Sequence, residues 1–279
     1  MSGERRGPPP PGAVKQITSL ANPIVKDIRG LALAKNRKAS GLFVAEGLKL
    51  VADAVEAGWH IRTLVHAGNV GSQPLVSRLA AATHARGGTV LSVSEAVLAK
   101  ISRRDNPQTV IGVFEQRLTP AAAIKPATGD VWIALEAVRD PGNLGTIIRT
   151  ADAVGAAGVI LVGDTVDPFS TEAVRATMGS IFAVPLARAS AAEFAALAAR
   201  WGGTIVGTHL AATADYRAVD YRTPVLLVMG GEQAGLTDVA AKIARTLVKI
   251  PMAGKADSLN LAVATACMLF EIKRAVLKL

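Results

Sequence analysis

The sequence predicts an α/β protein with two domains. Short apolar segments alternate with segments of helical periodicity along the chain, as in proteins whose strands are joined by helices. In the second half, the runs VWIALEAV, VILVG, IFAVP, TIVGT, VLLVM and TLVKI are apolar on both faces, which is typical of strands in a buried parallel sheet. The length of 279 residues fits two domains of about 150 residues each.

The first elements predict a smaller α/β domain over residues 13–118, after a Pro-rich tail at 1–12 that is expected to be disordered. Asn22 and Pro23 supply a helix cap and a rigid first residue, and the apolar spacing that follows predicts a helix over about 23–37. The later elements are predicted strands at 42–45, 61–65, 90–93 and 110–114, and predicted helices at 48–57, 74–85 and from 94.

The second domain is predicted to cover residues 130–279. A segment at 119–129 with prolines and glycine but no clear periodicity is expected to be a linker before it. The first strand of this domain is predicted at 131–138. Later helices have recognisable starts, such as the capping box of Ser190 and Glu193 before FAALAARW. Because the strands are apolar on both faces, helices should cover both faces of their sheet.

Composition excludes several classes of protein. Half of the residues are hydrophobic and 19% are charged, which is too apolar for a disordered chain. The longest apolar stretch, residues 259–270, is shorter than the roughly 18 residues that span a bilayer. The N-terminus lacks the apolar core of a signal peptide, so the protein is expected to be cytoplasmic.

The cysteine and the histidines do not predict a metal site. The lone cysteine, Cys267, is expected in the core, and the four histidines lack the paired spacing of metal ligands.

Positive charge is concentrated in the first domain. Residues 13–118 hold 14 lysines and arginines against 7 acidic residues, whereas residues 119–279 hold 15 against 14, within a total net charge of +9. This distribution indicates that the first domain contacts a polyanion such as RNA, although a solvated basic face would give the same pattern. The densest clusters, taken as candidate RNA-binding residues, are Lys35, Arg37, Lys38, Arg103 and Arg104.

Three loops that follow predicted strands of the second domain carry unusual polar residues. Ligands bind at the carboxyl ends of such strands. The first loop, residues 139–143, leads into a helix on which Arg149 lies off the apolar stripe. Read singly, Asn143 could be an ordinary helix cap and Arg149 an ordinary surface arginine.

The second and third loops are more specific. In the second, three glycines flank Glu232 after the most apolar strand, which lets backbone approach a ligand closely. The third, at 251–258, brings Ser258 to the cap of the last predicted helix, and Asn260 interrupts the apolar pattern of its first turn. Capping explains Ser258 alone but leaves Asn260 unexplained.

Together the loops resemble the three motifs of the SpoU/TrmH class of the SPOUT superfamily of RNA methyltransferases. The matching segments, in family order, are DPGNLGTIIRTADAVGAAGVIL, VMGGEQAGL and IPMAGKADSLNLAVATA. Residues 14–60, with ITSLANPIVKDIRGL and FVAEGLKLVADAV, are similar to the substrate-binding domain that precedes the catalytic domain in many members. The resemblance covers nearly the whole chain.

The resemblance implies S-adenosylmethionine-dependent methylation of a ribose 2′-hydroxyl in structured RNA, with 23S ribosomal RNA favoured and transfer RNA as the alternative. It also implies a C-terminal trefoil knot, which the general rarity of knots would not predict, and a homodimer whose partner subunit completes the active site. The polar residues that match the family's catalytic positions are Asn143, Arg149, Glu232, Ser258 and Asn260. Those that match its methyl-donor contacts are Thr208, Gly230, Gly231, Ile250, Met252 and Leu259.

The implied chemistry needs an oriented, deprotonated hydroxyl, because the sulfonium donor is already activated; no metal is needed. The family gives arginine the role of base, but a guanidinium stays protonated, so we interpret Arg149 as a fork for the neighbouring phosphate and the developing alkoxide. Two other classes remain: a non-catalytic RNA-binding protein with this fold, and a nicotinamide-dependent oxidoreductase. The second is disfavoured because the sequence has no G-x-G-x-x-G after the first strand of the second domain.

Overall fold

The structure is a computed structural model that describes residues 12–104 and 106–278. The chain folds into two compact units, the first extending to Gln116 and including Phe169–Thr171, and the second comprising Arg117–Pro168 and the residues from Glu172 onward. The predicted disordered tail, residues 1–12, lies outside the described residues except for its last member.

The first unit is a mixed five-stranded sheet with helices. Its strands lie in the order β1-β4-β3-β5-β2; β4 pairs in parallel with β1 and β3, and β5 pairs antiparallel with β3 and β2. The strands are β1 Val14–Ile17, β2 Leu42–Glu46, β3 Ile61–Ala67, β4 Thr89–Val93 and β5 Val110–Glu115. The helices are α1 Pro23–Gly30, α2 Ala34–Ser40, α3 Leu48–Glu56, α4 Pro74–Ala85 and α5 Glu95–Ser102.

Two features of this unit differ from the sequence prediction. Strand β1 was not predicted, because it is only four residues long and only Ile17 is buried, which leaves no apolar alternation to detect. The predicted helix over 23–37 is wrong as a single element, since it breaks after Gly30 into α1 and α2. Asn36 donates a hydrogen bond from its side chain to the Gly30 carbonyl at 2.9 Å and so stabilises the break.

The second unit is an all-parallel sheet in the order β11-β13-β10-β12-β7-β8-β9-β6, which confirms the predicted α/β class. The strands are β6 Thr119–Pro120, β7 Val131–Glu136, β8 Gly158–Val162, β9 Leu186–Ala189, β10 Ile205–Thr208, β11 Ala214–Asp215, β12 Val225–Met229 and β13 Thr246–Lys249. The helices are α6 Pro141–Ala153, α7 Thr171–Ala176, α8 Ala191–Ala199, α9 Asp238–Ile243 and α10 Leu261–Ile272. Strands β7, β8 and β12 are almost wholly buried, as expected for a sheet covered on both faces.

The segment predicted as a linker, residues 119–129, is partly built into the second unit. Strand β6 pairs in parallel with β9, and Ala121 and Ile124 are buried in the core of the unit. Arg200 donates hydrogen bonds to the carbonyls of Ile124 and Ala121 at 2.9 and 3.1 Å. Sequence periodicity missed this packing because it involves only two apolar residues. The trefoil knot implied by the family stays a prediction.

Two further expectations concern the last helix. Cys267 is only half-buried on α10, so its predicted place in the core is wrong; helix α10 buries Thr265, Met268 and Leu269 instead. Among the described residues, no helix is long and apolar enough to cross a membrane.

Candidate active site

The three loops with unusual polar residues lie at one edge of the second sheet. Strands β13, β10, β12 and β7 are parallel neighbours, so their carboxyl ends point the same way. The loops after β7, β12 and β13 are those that the sequence singled out. Parallel pairing therefore brings together segments that are far apart in the chain.

A cavity of about 470 Å³ lies among these loops. Its walls combine apolar side chains with glycine backbone, and its size is within the roughly 300–1,000 Å³ range of small-molecule sites. All six residues that match the family's methyl-donor contacts line it: Thr208, Gly230, Gly231, Ile250, Met252 and Leu259. Glu232 and Ser258, from the predicted catalytic set, line it as well.

The loop after β12 is held in a tight turn that only glycines permit. The Gly235 amide donates to the Gly231 carbonyl at 3.0 Å, and Gly235 has a φ of +65°, in the left-handed region. A Cβ atom on Gly230 would lie 2.0 Å from the Gly235 carbonyl carbon. The backbone of Gly230 thus packs directly against the backbone of Gly235, and this contact fixes the position of Gly230 in the wall of the cavity.

Glu232 joins the second loop to the first. Its carboxylate accepts hydrogen bonds from the Arg139 and Asp140 amides at 3.2 Å and from the Asn143 side-chain amide at 3.1 Å. Partial burial raises the pKa of Glu232, but the hydrogen bonds from Asn143 and from backbone amides outweigh it, so the pKa lies below its ordinary value. Glu232 is therefore ionised at neutral pH and acts as an acceptor.

Asn143 extends this connection to the third loop. Its Oδ1 accepts a hydrogen bond from Nδ2 of Asn260 at 2.9 Å, while its Nδ2 donates to Glu232. Asn260 is the N-cap of α10, where its Oδ1 accepts from the Ala262 and Val263 amides at 2.9 and 3.3 Å. The structure thus gives Asn260 two roles, as cap and as link, although the sequence placed it within the first turn and Ser258 at the cap.

The other two predicted catalytic residues lie apart from this chain of hydrogen bonds. Ser258 donates to Asp257 at 3.3 Å, beside the cavity. Arg149 is exposed on α6, six residues and about 9 Å along the helix axis from Asn143. Within the described part of the chain, Arg149 forms no ion pair or hydrogen bond through its side chain, and it does not line the cavity.

Sequence reasoning missed Glu136, the last residue of β7. Its carboxylate accepts hydrogen bonds from the amide and the hydroxyl of Thr237 at 2.9 and 2.8 Å. The end of β7 and the loop after β12 therefore each contribute a carboxylate that accepts a backbone hydrogen bond from the segment following the other strand. The signal that identified Glu232, a charged residue at the end of a buried strand, applies equally to Glu136 and could have found it.

The candidate RNA-binding residues of the first unit need one correction. Arg37 is only 3% exposed, and its guanidinium donates to the carbonyls of Leu31 and Ala32 at 2.8 and 2.9 Å. It satisfies backbone acceptors where α1 ends, so it is unsuited to bind phosphate. The other four candidates, Lys35, Lys38, Arg103 and Arg104, are exposed.

No group of three or more histidine, cysteine, aspartate or glutamate side chains among the described residues could hold a metal ion. The polar groups of the cavity are backbone groups of glycine-rich loops and the side chains of Glu232, Asp257, Lys249, His209, Thr208, Gln233 and Ser258.

Comparison with known proteins matches both units. The model of the SpoU rRNA Methylase family matches residues 130–270, and that of the MRM3-like substrate binding domain matches residues 22–112. A 23S rRNA (uridine(2479)-2′-O)-methyltransferase of Streptomyces viridochromogenes is 31% identical over 94% of this chain and 93% of its own length. A 23S rRNA (guanosine(2553)-2′-O)-methyltransferase of Bacillus subtilis, RlmP, is 28% identical over 93% of this chain and 100% of its own.

Solved structures of rRNA methyltransferases are also similar to this chain over nearly its whole length. An AdoMet-bound rRNA methyltransferase from Sinorhizobium meliloti is 57% identical, with a TM-score of 0.90 over 96% of this chain and 100% of that one. The AdoMet complex of the SpoU methyltransferase AviRb from Streptomyces viridochromogenes is 30% identical, with a TM-score of 0.81 over 91% of this chain and 98% of that one. With a family model that spans half of its length and similar proteins that span nearly all of it, the chain belongs to the SpoU rRNA methylase family.

Proposed function

We propose that this protein transfers a methyl group from S-adenosylmethionine to a ribose 2′-hydroxyl of 23S ribosomal RNA. The observation that carries the proposal is the cavity among the three loops, with a chain of hydrogen bonds from Glu232 through Asn143 to Asn260 that starts at its wall. The 23S rRNA methyltransferases among its relatives favour ribosomal over transfer RNA.

The residues present fit the donor. Met229, Ile250 and Met252 offer apolar walls to its adenine and ribose carbons, and the Glu232 and Asp257 carboxylates complement its positive charges. We assign donor binding to the six predicted contacts that line the cavity. When bound, S-adenosylmethionine supplies a methyl group already activated on a sulfonium sulfur.

The protein's task is to orient the ribose and to stabilise the hydroxyl oxygen as its proton leaves. We assign positioning to Glu232, Asn143 and Asn260, whose mutual hydrogen bonds fix the side of the cavity that faces α6. Arg149, always protonated, holds the adjacent phosphate and the developing alkoxide, and the proton leaves to a phosphate oxygen or water. Since Arg149 does not line the cavity of its own chain, we propose that it serves the cavity of a partner subunit.

The direct test is methyl transfer from labelled S-adenosylmethionine to 23S rRNA transcripts and to bulk transfer RNA. We expect a 2′-O-methylated nucleoside in the digested 23S rRNA and none in transfer RNA. Methylation of transfer RNA alone would overturn the substrate assignment. Donor binding in calorimetry with no transfer to either RNA would instead favour a non-catalytic RNA-binding protein, and binding of NAD(P) in place of the donor would favour an oxidoreductase.

The homodimer is a further part of this proposal, supported by an exposed apolar stripe on α10. Val263 and Phe270, seven residues apart, are 49% and 52% exposed, and Leu259 just before the helix is 36% exposed. Ala266 and Cys267 are half-buried between them. Helical spacing puts these side chains on one face, and apolar faces of this kind mark protein interfaces.

The dimer predicts both a mass and a mutant phenotype. Sedimentation at micromolar concentration should give about twice the 28.8 kDa chain mass. Phe270→Glu, which places a charge in the proposed interface, should shift the protein toward monomer and lower methyl transfer in parallel. Val239→Glu, at an equally exposed valine of α9, is the control. A fully active monomer would contradict the proposal.

The two hydrogen bonds between Glu136 and Thr237 predict an effect on donor binding. Glu136→Gln should weaken S-adenosylmethionine binding about 3- to 10-fold, because glutamine replaces one of the two acceptor oxygens with an NH₂ group and so loses one of these bonds. The effect should appear in donor affinity and leave turnover at saturating donor within about twofold, since Glu136 acts through the loop. Glu172→Gln, an exposed carboxylate of α7, is the matched control. Equal donor affinity in both variants would remove Glu136 from the site.

We also propose that the first unit binds RNA, and substitution of Lys35 and Lys38 tests this. Both are exposed and form no ion pair with another described residue, so they are available to phosphate. The double substitution Lys35→Ala and Lys38→Ala should weaken rRNA binding in filter assays and reduce the slope of affinity against salt by about two. Donor affinity should not change; unchanged RNA affinity would show that this face is only solvated.

A further inference from the structure

A second cavity, of about 240 Å³, lies in the first unit at the carboxyl ends of its three parallel strands. Gln16 and Thr18 come from the end of β1, Asn69 follows β3, and Ser92 and Glu95 come from the end of β4 and the start of α5. The cavity proposed to bind S-adenosylmethionine, called the donor cavity below, is in the other unit, so the proposed function leaves this second cavity without a role.

Its place in the sheet is one where ligands bind. The chain leaves β3 through α4 to reach its parallel neighbour β4, and it leaves β4 through α5 to reach β5, which runs antiparallel on the other side of β3. Ligands of sheets with parallel strands bind at the carboxyl ends of those strands. The cavity lies at the carboxyl ends of β3 and β4, and the end of β1 lines it as well.

The lining carries several polar side chains and almost no charge. The amides of Gln16 and Asn69 and the hydroxyls of Thr18 and Ser92 form no hydrogen bond with any other residue that the structure describes. Glu95 is the single carboxylate in the lining, and it is not joined there by any lysine, arginine or histidine. Glu95 would repel a phosphate, and no basic side chain in the lining would offset that repulsion, whereas a neutral group with both donors and acceptors would match these amides and hydroxyls.

Basic side chains lie near the cavity but outside it. Helix α1 packs on α5 and carries the exposed Lys26 and Arg29; the Arg103 guanidinium, just beyond the far end of α5, donates to the Arg29 carbonyl at 3.5 Å. Helix α5 has eight residues, so about 12 Å separate its two ends. Phosphates along this basic face would thus be within a few nucleotides of a group held in the cavity.

We propose that this cavity binds one unstacked nucleobase of the substrate RNA, read by hydrogen bonds from Asn69 and Gln16 to its edge. The inference rests on the proposed function and adds to it a site of sequence recognition in the first unit. The volume is below the range of sites for larger ligands, which fits a single base better than a whole cofactor. Sequence-specific RNA recognition relies on such splayed-out bases, and amide side chains are suited to bidentate bonds with base edges.

The test compares three single variants of the full-length protein on 23S rRNA transcripts. Asn69→Ala removes a proposed base contact, and Gln73→Ala removes an exposed amide at the start of α4, outside the cavity. Lys26→Ala removes a proposed phosphate contact. We expect Asn69→Ala to weaken rRNA binding about tenfold with an unchanged salt slope, and to reduce the preference for specific over homopolymer RNA. Lys26→Ala should reduce the salt slope by about one, and Gln73→Ala should change neither quantity.

Two results would overturn the base assignment. Equal rRNA affinity and preference for Asn69→Ala and Gln73→Ala would show that the cavity binds no base. A salt slope reduced by Asn69→Ala as much as by Lys26→Ala would identify a phosphate contact instead. Methylation of 23S rRNA by the wild-type protein is measured in parallel; its absence would count against the proposed function, whereas normal methylation with either result above would count against the base pocket alone.

Discussion

Replacing Arg149 with alanine is expected to lower the single-turnover rate of RNA methylation by at least about 100-fold, the scale of one lost acid–base or oxyanion contact. The fold and the affinity for S-adenosylmethionine should stay nearly intact. Arg149 is exposed, lies off the buried stripe of α6, and bonds to no described residue through its side chain, so its removal leaves no cavity and no unpaired buried group.

Two further variants distinguish the causes of a lower methylation rate. Arg149→Lys keeps the charge but loses the planar fork, so weak rescue would indicate bidentate phosphate binding and nearly complete rescue a point charge. Arg188→Ala, an exposed arginine on β9, is the matched control and should change the rate by less than about threefold. Rates are measured at saturating donor and RNA, so that a binding defect is not mistaken for a chemical one. A near-wild-type rate for Arg149→Ala would remove this residue from the catalytic set.

Gly230→Ala is expected to weaken S-adenosylmethionine binding by more than about 100-fold. The added Cβ would lie 2.0 Å from the carbonyl carbon and 2.1 Å from the carbonyl oxygen of Gly235, and backbone atoms cannot give way as a flexible side chain can. The turn between Gly231 and Gly235 must therefore open, which moves the wall that Gly230 forms in the donor cavity.

The third loop offers a matched control for this substitution. A Cβ on Gly254 would meet no atom within 4 Å, so Gly254→Ala should leave donor affinity within about threefold. Calorimetric titration with S-adenosylmethionine gives both affinities, and thermal unfolding shows whether Gly230→Ala also destabilises the protein. Donor affinity near that of wild type in Gly230→Ala would mean that the cavity does not hold the donor.

Sequence patterns anticipated where the site would form better than how its residues would act. Runs that are apolar on both faces predict parallel strands, and the loops that follow parallel strands lie at one edge of the sheet. The sequence alone therefore predicts that the loops with Asn143, Glu232 and Asn260 lie close together. That the two asparagines would bond to each other and to the glutamate depends on side-chain directions across 89 and 117 residues of chain, which no local pattern encodes.

The errors have the same origin. A cluster of basic residues suggests an exposed face, but Arg37 turns inward because the carbonyls at the end of α1 need a donor. Apolar spacing predicted one helix over residues 23–37 and concealed the break after Gly30, which side-chain hydrogen bonds from Asn36 and Arg37 stabilise. In each case a tertiary contact decided what the local pattern left open.

The hydrogen bonds that link α10, Asn260, Asn143 and Glu232 all donate in the same direction, from the helix toward the carboxylate. The backbone amides of α10 bind Oδ1 of Asn260, which turns its Nδ2 toward Asn143 and in turn directs Nδ2 of Asn143 to the carboxylate of Glu232. The positive end of the helix dipole is in this way relayed through two neutral side chains to an anion beside the donor cavity. The first turn of α10 is therefore tied to the opposite side of the cavity, since the side chain that caps this turn is also the one that bonds to Asn143.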